Sequence, residues 1–139
     1  MITIDEIFKF IESECGVGKE KIASNADIFD DLGIAGDDFS ELIENYATSF
    51  NVNMDDYLWY FHNTDEGVNI WRFIFKPPNK NVSRIAITPQ LLLDCANTRK
   101  WNIDYPQHDI PKNRNDLIYS NLLWVMILVL LFLLAKTFN

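Results

Sequence analysis

Residues 27–50 read DIFDDLGIAGDDFSELIENYATSF. In the second half Phe39, Leu42, Ile43, Tyr46, Ala47 and Phe50 recur at helical spacing and share one face. Asp38, Glu41 and Glu44 stand three apart and take the opposite side. This pattern predicts a helix over about residues 38–49, and Asp37 and Asp38 at its start suit the positive end of the helix dipole. The first half reads as a loop held down by Ile28, Phe29 and Leu32, with Gly33 as a turn residue at positive φ.

On the N-terminal side Thr3 and Glu6 have the T-x-x-E spacing of a capping box. Ile4, Ile7, Phe8, Ile11 and Cys15 then predict one apolar helix face, stopped by Gly16 and Gly18. This start is acidic and amphipathic, without the basic residues and apolar run of a signal peptide. On the C-terminal side MDDYLWYFH, residues 54–62, predicts a short third helix. Val68–Phe75 and Val82–Ile87 are rich in aromatic and β-branched residues around the turn signal KPPNKN, which predicts a β-hairpin. Thr88 as N-cap and Pro89 at the first helical position open a further helix, with Leu91, Leu92, Cys95 and Ala96 on its apolar face.

The chain has 139 residues, 48% of them apolar, which suits one small domain. Its formal net charge is −8, but residues 1–66 carry −13 and residues 67–139 carry +5, with no Lys or Arg between Lys21 and Arg72. Such a field disfavours nucleic acid and favours basic protein surfaces. Cys15 and Cys95 lie outside any metal-ligand spacing and are predicted to be reduced thiols. His62 and His108 form no metal set with them. No phosphate loop, nucleophile elbow or calcium loop is present. Nothing in the pattern supports catalysis, so the chain is predicted not to be an enzyme.

Leu117–Ala135 holds no charge over 19 residues. As a helix it would run about 28 Å, close to the hydrocarbon thickness of a bilayer. This predicts a transmembrane helix over residues 117–135, reached through a polar tether at residues 104–116. Arg99, Lys100, Lys112 and Arg114 before it, against Lys136 after it, place the N-terminal part on the cytoplasmic side of a bacterial inner membrane.

A first helix, a long loop ending in Asp31-Leu32-Gly33, an acidic helix, a short helix and a last helix opened by Ile87-Thr88-Pro89 together resemble the acyl carrier protein-like superfamily. The closest resemblance is to a bacterial domain-of-unknown-function family, DUF1493. It covers residues 1–103, with the hairpin at about 66–86 as an insertion. The fold class it implies is mainly α: an acyl-carrier-like four-helix bundle with a small β-hairpin, followed by the transmembrane helix.

Carrier proteins attach 4′-phosphopantetheine to the serine of an Asp-Ser-Leu motif at the start of the acidic helix. Here Ala35-Gly36-Asp37 stands in that place. The attachment position falls on Gly36, which has no hydroxyl, so the resemblance implies a carrier-like chain without the cofactor. Ser40, one helical turn later, is the alternative attachment residue, and would make the chain a working, membrane-tethered carrier. The resemblance also implies a docking face for a basic partner at Asp38, Glu41 and Glu44, helped by Asp30, Asp31 and Asp37. The favoured expectation is a non-enzymatic interaction module at the lipid bilayer. A third possibility is a small membrane protein acting through its span.

Overall fold

The computed structural model describes residues 1–64, 78–108 and 115–137. The first helix, α1 (Ile4–Cys15), starts where Thr3 is extended, and the Glu6 carboxylate accepts from the Thr3 amide and hydroxyl, each at 2.8 Å. It ends at Gly16, whose φ of 65° is left-handed and whose amide caps the Glu12 carbonyl. Its inner face is Ile7, Phe10 and Ile11, with Ile4, Phe8 and Cys15 only partly covered. The buried stripe is therefore turned toward Phe10, whose ring meets Phe50 edge-on at 5.3 Å and Tyr46 at 6.2 Å.

The second helix, α2 (Gly36–Phe50), starts two residues before the predicted boundary and buries Phe39, Leu42, Ile43 and Tyr46. The third, α3 (Pro89–Thr98), has the predicted start: Thr88 Oγ1 accepts from the Leu91 amide at 3.2 Å, and Pro89 follows. α1 packs against α2 and α3. The Tyr46 hydroxyl crosses from α2 to donate to the Leu92 carbonyl at 2.6 Å. Asn97 closes the far end, accepting from the Ile2 amide at 2.9 Å and donating to the Ile2 carbonyl at 3.1 Å. The loop before α2 is pinned as its apolar residues require. Ile22 and Ile28 are buried, and Ile28 donates to the Ile87 carbonyl at 2.9 Å.

Three expectations are corrected. The third bundle helix is reduced to a 3₁₀ turn, Trp59–Phe61. Before it, Asn53 donates to the Arg99 carbonyl and accepts from the Trp101 amide, both at 3.0 Å, in a parallel bridge. The Leu58 amide then donates to the Tyr105 hydroxyl at 3.2 Å. The amides of Tyr57, Phe61 and His62 bond locally, three residues back, while those of Asn53 and Leu58 find partners across the fold, so the local bonds stop at isolated turns.

The β-hairpin is the second correction: among the described residues there is no strand. Residues 68–75 lie outside the described residues, and Pro78–Lys80 is a 3₁₀ turn. The Ile85 amide donates to the Phe61 carbonyl, while the Ile87 carbonyl serves Ile28. Two bonds to two different segments make no ladder.

The third correction concerns α4 (Asn115–Thr137). Among the described residues no helix is long and apolar enough to cross a membrane. The apolar run of α4 is unbroken only from Leu122 to Ala135, 14 residues preceded by Ser120 and Asn121. That is about 21 Å of helix against about 30 Å of hydrocarbon. The transmembrane helix, the single-pass inner-membrane placement and the reading of a protein acting through its span fall together.

Candidate functional site

The start of α2 gathers the residues singled out from the sequence. Ala35 occupies the cap position in extended conformation and offers no side-chain oxygen. The cap comes from 27 residues away: Asn63 Oδ1 accepts from the Gly36 amide at 3.0 Å. It accepts from the Thr64 amide as well, at 2.8 Å. Asn63 Nδ2 donates to the Gly36 carbonyl at 2.7 Å and to Ser40 Oγ at 3.1 Å. Every donor and acceptor position of this buried amide is filled. It does for α2 what a local Ser or Asp does at most helix starts.

Gly36 is itself buried and has a φ of 60°. An L-residue there would cost roughly 1–2 kcal/mol, so the position asks for glycine on backbone grounds alone. Ser40 has its hydroxyl engaged on both sides, donating to the Gly36 carbonyl at 3.1 Å and accepting from Asn63. It also borders an open groove of about 640 Å³, with Ile43, Ala47, Met54, Tyr57 and Trp59 among its walls.

The six acidic candidates divide into two groups. Asp37, Asp38, Glu41 and Glu44 are exposed on α2, and among the described residues none of the four is in an ion pair. Asp38 and Glu41 face a cleft of about 360 Å³ toward α1, which they share with Glu14, Cys15 and Ile34. Glu44 lies on the other flank, on the groove beside Ser40. Asp30 and Asp31 are engaged elsewhere. Asp30 pairs with the Arg84 guanidinium, and Asp31 Oδ2 accepts from the Asp27 amide at 2.8 Å.

Arg84 also holds Asp27 Oδ1 at 3.1 Å and lies over the Phe29 ring at 5.0 Å. Burial raises the Asp27 carboxyl, but the Arg84 and Phe29 hydrogen bonds outweigh it and leave the pKa lowered. These loop acids brace the turn before α2.

Cys15 senses the cleft. Burial first, then the charges of Glu14, Asp38 and Glu41, push its thiol up to about 11. A thiol held neutral in this way is a poor nucleophile. Cys95 is buried and also raised, first by desolvation. Among the described residues no three His, Cys, Asp or Glu side chains come together as a metal site. Trp101 is buried and Trp59 partly so, whereas Trp71 lies outside the described residues.

Sequence reasoning missed Asn63, Arg84 and Glu14. All three act on α2 or its loop from other segments, so no local pattern announces them. With this geometry in hand, residues 2–104 match the family described as "Protein of unknown function (DUF1493)". The chain belongs to that family. The match takes in the whole DUF1493 core described above, from α1 through α3. No curated protein and no solved structure matches the chain.

Proposed function

We propose that this DUF1493 chain is a non-enzymatic, acyl-carrier-like interaction module without a prosthetic group, which docks a basic protein surface through α2. The observation that carries the reading is the start of α2. A glycine at positive φ, locked by Asn63, opens the helix, at the position that the sequence resemblance aligns with a carrier's serine. Immediately after it come four exposed carboxylates with no ion pair among the described residues.

Such a face steers a positively charged partner and gives on-rate and selectivity more than raw affinity. Its effect fades as salt rises, because exposed charges are screened over about 8–10 Å at physiological ionic strength. The loop acids Asp30 and Asp31 keep the face in place rather than touching the partner, since both already have partners of their own.

The test is capture of a basic protein by the chain at low salt, followed by charge reversal with Asp38→Lys and Glu41→Lys together. Loss of capture with an unchanged fold supports the reading. Intact capture after charge reversal overturns it.

A second reading keeps 4′-phosphopantetheine, attached at Ser40, and rests on the groove beside that serine. Against it stand the two hydrogen bonds that occupy the hydroxyl. Intact mass after expression with an active phosphopantetheinyl transferase separates the two. An unmodified mass supports the module without cofactor, and a mass raised by one phosphopantetheine on Ser40 makes the chain a carrier.

A further inference from the structure

The chain has two histidines, and both are held the same way. His62 Nδ1 lies 2.8 Å from the Ile85 carbonyl and its Nε2 2.8 Å from the Tyr105 hydroxyl. His108 Nδ1 lies 2.8 Å from the Pro106 carbonyl and its Nε2 2.9 Å from the Tyr60 hydroxyl. A carbonyl only accepts, so each Nδ1 carries the proton and each Nε2 accepts from a tyrosine. The pairs cross. Residues 57–62 supply His62 and Tyr60, and residues 101–108 supply Tyr105 and His108. We propose that residues 102–108, beyond the buried Trp101, form a pH-sensitive strap, latched to the body by the Tyr105–His62 hydrogen bond and released when His62 is protonated.

The two latches answer a proton differently. The Tyr105 oxygen already accepts from Trp101 Nε1 at 2.8 Å and from the Leu58 amide at 3.2 Å, while its own hydrogen goes to His62. A hydrogen added to His62 Nε2 would face the Tyr105 hydrogen, with no lone pair left to receive it. The ring has nowhere to turn. It is fully buried, stacked on Tyr57 at 5.5 Å and met edge-on by Trp101 at 5.7 Å. At His108 the Tyr60 hydroxyl has no second donor among the described residues, so it can rotate and accept from a protonated ring. Strap release therefore belongs to His62.

The groups facing His62 do not titrate in its place. Tyr57 and Tyr105 are raised by burial, as are Tyr60 and Cys95 near the Tyr105 hydroxyl. The charges that reach it are Arg84 and Asp27, which oppose each other and are paired together. Burial lowers His62 to about 4, whereas a released histidine titrates near 6.5. Acid therefore shifts the equilibrium toward release, the shift beginning as pH falls below about 6.5 and levelling off below about 4.

Hydrogen exchange on the full chain tests this, with the Leu58 amide and Trp101 indole N–H as probes at pH 7.5 and pH 5. Expressed as protection factors, both should fall about 30-fold on acidification, and from a lower level than the core amides of Ile11 and Ile43. Unchanged protection at the two probes overturns the strap. So does a common fall of probes and core from one level, which would mean that acid unfolds the whole body. His62→Gln should remove the pH response, and Tyr60→Phe should leave it. If the glutamine variant does not fold, the imidazole nitrogen resonances of the unaltered chain decide. A neutral ring with Nδ1 protonated at pH 5.5 is expected, and a charged ring there with Leu58 still protected refutes the latch.

Discussion

The two faces of α2 differ in what they can do. The inner face, Phe39, Leu42, Ile43 and Tyr46, is closed by α1, α3 and the preceding loop. The outer face, Asp37, Asp38, Glu41 and Glu44, meets only solvent and two shallow clefts. Stability resides in the first, and the proposed recognition in the second. A surface can carry function without costing the fold when its charges hold nothing together. The loop acids Asp27, Asp30 and Asp31 show the opposite case, with equal charge spent on bracing a turn.

That division can be broken at several depths. Leu42→Ala removes a fully buried side chain and should lower unfolding stability by about 2–5 kcal/mol, read from the urea midpoint. Acid probes the same interior through His62, whose folded pKa is about 4. The unfolded chain takes up this proton near pH 6.5 and the folded chain only near 4, so stability should be flat above about pH 7 and decline below 6.5. The full loss is about 3 kcal/mol, and thermal unfolding across that range measures it.

Asn63→Ala strips the cap from Gly36 and leaves its buried amide unpaired, at about 1–3 kcal/mol. Protection of the first amides of α2 should drop with it. The double reversal Asp38→Lys and Glu41→Lys should lower unfolding stability by only about 1 kcal/mol, chiefly through Asp38 in the first turn of α2, while abolishing partner capture. A large loss of stability in that variant would erase the distinction between the faces.

The helices were legible because their signals are local. Glu6 stands three residues from Thr3, Pro89 adjoins Thr88, and the α2 stripe repeats every turn. The acidic face was legible for the same reason, but its membership was not. Asp30 and Asp31 look like their neighbours until Arg84, more than fifty residues on, takes one and a backbone amide the other. Residues 54–62 and 82–87 were misread because aromatic and β-branched residues suit any buried surface. Here Asn53 makes one isolated bridge to residues 99–101, and Leu58 and Ile85 bond singly to distant segments. In α4 the absence of charge over residues 117–135 overstated the apolar length, because Ser120 and Asn121 interrupt it.

The clasp between Ile2 and Asn97 has a consequence for synthesis. α1 emerges first, but α3, on which it packs, begins only at Pro89. At roughly 5–20 residues per second α1 waits on the order of 4–15 s for that surface. Throughout that interval Ile7, Phe10 and Ile11 have no α3 to rest on. The body can close only after translation has passed Trp101, which is part of its core.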